Sequence, residues 1–334
     1  MVKRGLINLF ILGGLVLTTT YCIGQVKQLT YGSPEVQIDR AYKLSKSITI
    51  IPDPRINYVP NIGIIEGENA ILVVDAGMGP KNGKRVFDYA NSIAKGRKIY
   101  LTTTHFHPEH SFGAMAFNNG GATVLMNQLQ ADELKTKGEA YLNMFKRFGD
   151  LERKVLEGTK IAKVDELYSG RKILDLGNKK VEFYELPAHT LGDQVIFVPD
   201  DGVIFMGDLV EDRFFPIMPD SDSRPSRWIE VMREVSKLNP ETVVPGHGEL
   251  GGIELITNTE SYLNLVKSEV KLNIDKGLNK EAILEVLTPK LKHSRSNWDN
   301  AVFIQYEIAH FYAEWTNTIV VLPDLTDEQD KYKQ

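Results

Sequence analysis

The amino-acid sequence predicts an α/β protein in which β-sheets are stacked as a sandwich and covered by helices. Two blocks of strand-like runs, at residues 47–126 and 171–206, lead to that fold class. Each block is followed by helical sequence, the arrangement of a layered α/β domain rather than of a bundle or an all-β protein.

Along the first block, apolar and β-branched runs mark strands at 47–51, 61–66 and 70–74, the last ending at Asp75-Ala76-Gly77. Val86, Tyr89, Ala90 and Ile93 recur at helical spacing within 79–95, and Gly96 stands where a helix would stop. A strand at 98–103, a short helix at 110–117 and a strand at 122–126 complete the block. Residues 128–162 then read as a charge-rich helical insertion whose apolar side carries Leu134, Tyr141, Met144, Phe145, Phe148, Leu151 and Val155. The second block holds strands at 171–176, 180–186, 194–198 and 202–206, separated by turn residues such as Gly177-Asn178 and Pro199-Asp200-Asp201-Gly202. A helix at 225–237, a strand at 242–244 and helices at 253–275, 280–287 and 300–318 follow. The last helices are rich in Ile, Leu, Val and Phe, so they are expected to pack on the main body.

The first 24 residues stand apart. Lys3 and Arg4 precede the apolar stretch from Leu6 to Leu17, then come Thr18-Thr19-Thr20-Tyr21-Cys22-Ile23-Gly24. This three-part pattern predicts a secretory signal peptide cleaved before Gln25, hence a periplasmic or secreted protein. The apolar run is short for a bilayer span, which needs about 20 residues, so no stable membrane span is expected after cleavage. A lipid anchor at Cys22 is the competing reading, but Thr19-Thr20-Tyr21 is a poor lipoprotein box. The expected organisation is signal peptide 1–24, lead-in 25–46, main domain 47–275 with the insertion 128–162, C-terminal helices 276–323 on the same domain, and a polar tail 324–334.

Composition restricts the chemistry. With 42% hydrophobic and 25% charged residues the chain can bury a substantial core. A net charge of −5, without a basic block, gives no reason to expect nucleic-acid binding. Cys22 is the only cysteine, so the mature chain would have no disulfide, and any metal site must be built from His, Asp and Glu.

Five of the seven histidines lie in three short motifs: His105-Phe106-His107-Pro108-Glu109-His110, Pro187-Ala188-His189-Thr190 and Pro245-Gly246-His247-Gly248. In an extended segment His105 and His107 point to the same side, and His110 follows beyond Pro108 at the start of a helix. Three imidazoles and a carboxylate can thus converge at a strand-to-helix junction, and imidazole is a favoured zinc ligand. Asp208, after the strand-like Val203-Ile204-Phe205-Met206, has two oxygens with which to bridge cations. Taken singly, Asp208 is equally a turn residue, and histidines placed like His189 and His247 are more often structural than ligands.

The order of these motifs resembles that of the metallo-β-lactamase superfamily, from about Ile48 to the C-terminal helices. The resemblance implies a four-layer αββα sandwich, here with added C-terminal helices, and metals at the edge where the sheets meet. Carried over by position, His105, His107 and His189 would hold one metal. His110, His247 and the acidic Glu109 would hold a second, Asp208 would bridge, and Asp75 would orient a ligand imidazole. Asp75, Glu109 and Asp208 are thereby the acidic residues of catalysis. The family usually has Asp where Glu109 stands, and three readings stay open: Glu109 ligates the second metal, acts as a base, or weakens that site. Two Zn²⁺ ions are expected, with one metal or iron as alternatives.

The resemblance implies a small-molecule substrate and a metal-dependent hydrolase that uses a metal-held hydroxide to cleave an acyl, lactone, lactam or related ester bond. A non-catalytic or weakly active exported metal-binding protein with a compromised second site is the alternative. Tyr141, Phe145 and Phe148 of the insertion either wall a pocket or simply seat the helices. His293 is expected to be solvated and His310 to be a satisfied interior residue. Sequence is silent on oligomeric state.

Overall fold

The computed structural model describes residues 28–323; the segments read as a signal peptide (1–24) and a polar tail (324–334) lie outside the described residues. The first half contains β1 (Tyr42–Lys43), β2 (Ile48–Ile51), β3 (Ile62–Glu66), β4 (Ala70–Val74), α1 (Gly79–Ala94), β5 (Lys98–Thr102), α2 (Pro108–Ser111), α3 (Met115–Asn119), β6 (Thr123–Asn127), α4 (Gln128–Phe148), α5 (Asp150–Val155) and β7 (Glu166–Tyr168). Its strands form one sheet in the order β1-β2-β3-β4-β5-β6-β7, antiparallel from β1 to β4 and parallel from β4 to β7.

The second half contains β8 (Arg171–Asp175), β9 (Lys180–Glu185), β10 (Gln194–Val198), β11 (Val203–Gly207), α6 (Pro225–Ser236), β12 (Thr242–Pro245), α7 (Ile253–Asp275), α8 (Lys280–Ser294) and α9 (Ile304–Thr316). The second sheet runs β12-β11-β10-β9-β8, with only the β11–β12 pair parallel.

Strand alternation divides the apolar residues among three interlayer cores. On β4, Ile71 and Val73 face α1 and α4, whereas Ala70, Leu72 and Val74 face the other sheet. On β11, Val203 and Phe205 join that central core, while Ile204 and Met206 face α6, α7 and α9. A side chain in place of Gly63 would overlap the ring of Phe205, so this glycine lets the sheets approach closely. The result is the αββα sandwich, with α7, α8 and α9 sharing the core of the second sheet's outer face.

Several boundaries differ from the sequence reading. The expected helix 110–117 is two short helices, α2 and α3, and the helical part of the insertion ends at Val155. The two-residue β1 and three-residue β7 are too short to leave a periodic signal. Helix α8 continues through Pro289 to Ser294, past the expected end at Leu287. Among the described residues no helix is long and apolar enough to cross a membrane.

Candidate metal centre

The chemistry-bearing residues gather where parallel strands end. Asp75 follows β4, the cluster 105–110 follows β5, Asp208 follows β11 and Gly246-His247 follow β12. Carboxyl ends of parallel strands project side chains beyond the sheet into a crevice, the usual place for a site in such folds. His189 joins them from the loop after β9.

Two donor groups result. His105, His107, His189 and Asp208 each offer one ligand atom, and these atoms lie within 4.8 Å of one another. Glu109, His110, Asp208 and His247 form a second group of the same size. Asp208 belongs to both and divides its oxygens: Oδ2 lies 3.7 Å from His105 Nε2, whereas Oδ1 lies 3.2 Å from His110 Nε2 and 3.8 Å from His247 Nε2. A Cβ on Gly246 would strike Asp208 Oδ1, so that glycine keeps the space of the carboxylate open.

These donors suit a cation. His105 Nε2, His110 Nε2, His189 Nε2, Glu109 Oε2 and Asp208 Oδ1 are buried without a hydrogen-bond partner. A buried polar atom left unpaired costs about 1–3 kcal/mol, and five converging on two points would be hard to sustain unless something satisfies them. Nitrogen, carboxylate and no sulfur fits zinc or another divalent first-row ion.

The opposite ring nitrogens are held from behind. His110 Nδ1 lies 2.9 Å from Asp75 Oδ2, and Asp75 Oδ1 also accepts the backbone N–H of Thr104 at 2.7 Å. Asp75 adopts a left-handed φ of 69° to do so, a conformation that Asp tolerates better than most residues. His105 Nδ1 lies 3.1 Å from Thr104 Oγ1, and His189 Nδ1 lies 3.3 Å from Asp193 Oδ1. His107 is reversed: its Nε2 meets Asp220 Oδ2 at 2.8 Å, leaving Nδ1 for the donor group. Such partners fix the tautomer and ring orientation that ligation needs.

Charge follows from this packing. Burial holds His105 well below the ordinary imidazole range, and the neighbouring His110 adds to it. Burial also opposes charge on His110, but Asp208 and Asp75 outweigh it and raise that group well above its usual value. Burial works against ionisation of Asp220 as well, yet the hydrogen bond from His107 and the charges of His107 and Lys137 hold it below the usual carboxylate range.

The structure brings Asp75, His105, His107, Glu109, His110, His189, Asp208 and His247 together. It also shows residues that sequence reading missed. Asp193 sits four residues after His189, a spacing that could have signalled it. Asp220 comes from the loop before α6, far from His107 in sequence, and Lys137 Nζ from α4 binds it at 3.2 Å. Glu211, 7% exposed, has neither carboxylate oxygen hydrogen-bonded. Burial and then the charge of Asp208 push it well above the usual carboxylate range.

A cavity of about 400 Å³ opens beside the donors and includes His107, Glu109 and His247 in its wall. Tyr141, Phe145 and Phe148 line it while also packing in the core between α4 and the first sheet, so seating and walling are one arrangement. Tyr141 additionally stacks on His107 with ring centroids 5.2 Å apart. His310 belongs to neither donor group; it is buried, with Nε2 3.3 Å from the carbonyl of Met218, and His293 is exposed.

Residues 56–247 match the family described as the metallo-beta-lactamase superfamily. A type 2 metallo-beta-lactamase from Bacillus cereus is 25% identical over 210 residues, 61% of this chain and 73% of that protein. A linear primary-alkylsulfatase from Pseudomonas sp. (strain ATCC 19151) is 20% identical over 263 residues, covering 66% of this chain but only 48% of the relative. Among solved structures, a metallo-beta-lactamase family protein from Thermus thermophilus superposes with a TM-score of 0.60 at 15% identity, covering 82% of this chain and 95% of that one.

Proposed function

Because the chain belongs to the metallo-beta-lactamase superfamily, and so to a group of metal-dependent hydrolases, we propose that it is a dinuclear zinc hydrolase of acyl, lactone, lactam or related ester bonds. The observation that carries this reading is the pair of donor groups sharing Asp208, each with unpartnered buried atoms. Zinc bound there would supply Lewis acidity toward the oxygen under attack and acidify a water.

The chain's own residues have separable tasks in this reading. His105, His107 and His189 hold one cation, Glu109, His110 and His247 the other, and Asp208 spaces them. Asp75, Thr104, Asp193 and Asp220 keep the imidazoles in register. Glu109 acts as a ligand, because its carboxylate falls within the second donor group despite its extra methylene. A periplasmic or secreted setting belongs to the same proposal and rests on residues 1–24 alone.

The test is metal analysis of the purified protein together with a panel of aryl esters, lactones, a chromogenic lactam and an alkyl sulfate. Two zinc ions per chain and turnover of at least one substrate are expected. Two metals without turnover of any would favour a binding protein, and one metal would overturn the dinuclear reading. Glu109→Asp sharpens the last point. It is expected to give no gain in metal content, whereas a gain would mean that glutamate impairs the second site.

A further inference from the structure

The cavity beside the donors says what sort of molecule belongs there. Its apolar lining includes Tyr141, Met144 and Phe148 from α4, Phe214 and Ile217 from the loop after β11, and Phe303 from the segment preceding α9, with Leu29 and Tyr58 from the N-terminal part of the described chain. These side chains meet around a space that also touches His107, Glu109 and His247, so whatever fills it lies within reach of the donor groups. The greater part of the wall is aromatic and aliphatic, and it gains free energy by covering apolar surface.

The same wall is poor in cationic side chains, and its acidic groups have other commitments: burial holds the Glu211 carboxyl well above the usual range, and Asp299 is paired with Arg55. Glu109, Glu211 and Asp299 contribute carboxyl groups, and among the described residues Lys292 is the one lysine or arginine in the lining, placed on exposed surface. Arg55 lies close by over the ring of Phe214, but its guanidinium is committed to Asp299 and to the carbonyl of Asp212. An anionic group pushed into this cavity would meet no uncommitted lysine or arginine in its buried wall, and burying an unpaired charge is costly.

We infer that the substrate is an uncharged, elongated ester or lactone whose apolar tail lies between α4 and the segment before α9, with no anionic group on that tail. The inference rests on the hydrolase reading and narrows it, disfavouring lactams that carry a carboxylate beside the ring.

Hydrolysis of 4-nitrophenyl butanoate, 4-nitrophenyl decanoate and the mono-4-nitrophenyl ester of decanedioic acid by the metal-loaded protein tests it. Displacement of the neutral dye Nile red by butanol and by decanol is measured in parallel. kcat/KM is expected to rise at least about tenfold from butanoate to decanoate, and to fall back at least as far when the tail ends in a carboxylate. Met144→Lys, on a half-buried wall position, is expected to narrow or invert the preference for decanoate over its carboxylated counterpart. Turnover with no dependence on chain length, or faster turnover of the carboxylated ester, overturns the inference and leaves the hydrolase reading standing. Displacement of the dye by decanol but not butanol, with none of these esters and none of the earlier panel hydrolysed, supports the apolar tail site and removes the hydrolase reading. Equal displacement by both alcohols overturns the tail site whatever the esters do.

Discussion

The two donor groups are matched in size but not in support. In the group of His105, His107 and His189, every imidazole has a partner on its far nitrogen: Thr104, Asp220 and Asp193. These partners belong to different segments and are themselves tied down. Asp193 accepts from the backbone N–H and hydroxyl of Thr190, and Asp220 accepts from Lys137. In the group of Glu109, His110 and His247, only His110 has such backing among the described residues, from Asp75. His247 is positioned through its backbone instead: Asn61 donates to the carbonyls of Pro245 and Gly248, and Asp53 accepts the N–H of Gly248. The difference teaches that the first group is oriented before a cation arrives, whereas the second has a fixed frame with freer side chains.

The largest expected effect breaks the comparison at its centre. Asp208→Ala should empty both sites and lower kcat/KM by about a thousandfold or more, since several kcal/mol of transition-state stabilisation are at stake. Retention of either metal by that variant would show that the bridge is dispensable. Next, a chelator titration of the metal-loaded protein should remove the cation of the Glu109 group first, at lower chelator concentration than that of the His189 group. The two can be told apart by repeating the titration on His247→Ala and His189→Ala, and the reverse order of loss would sink the argument from orienting partners.

A smaller effect sharpens it. Asp220→Asn should weaken metal retention in the His107 group by about 10- to 100-fold with little change in the other, because the amide no longer offers two acceptor oxygens to His107, Tyr141 and Lys137. The smallest effect is a control remote from both. Glu307 is fully buried, its carboxyl is pushed well above the usual range by burial, and Tyr262 donates to it at 2.7 Å. The folded group stays protonated where the unfolded one, near 4.5, ionises, so its contribution to stability declines as pH rises above that value. Glu307→Gln should therefore raise the melting temperature more at pH 8 than at pH 5, with the order of metal loss unchanged.

Much of this candidate site could be read from the chain because its donor residues sit in local patterns. The tight spacing from His105 to His110 and the glycine and proline turns around His189 and His247 survive in one dimension. The strands were equally legible wherever a run was long enough to alternate. What supports the ligands was not, since Asp220 meets His107 across 113 residues and Gln194 of β10 reaches the carbonyl of Thr103 across 91. Such pairings are set by how two sheets stack and leave no periodic trace. Glu211 was invisible for a related reason: only the assembled cavity shows that its carboxyl group is buried without a partner.

The layering would tie the fate of the whole molecule to any metals that load the two donor groups. Each donor group takes residues from the far ends of both sheets, so a bound ion would rivet one half of the sandwich to the other. Resistance to unfolding should then track the free ion concentration in the surroundings, gaining about 1.4 kcal/mol for every tenfold excess over the dissociation constant of a site. A host short of the ion would lose the protein itself as well as its chemistry.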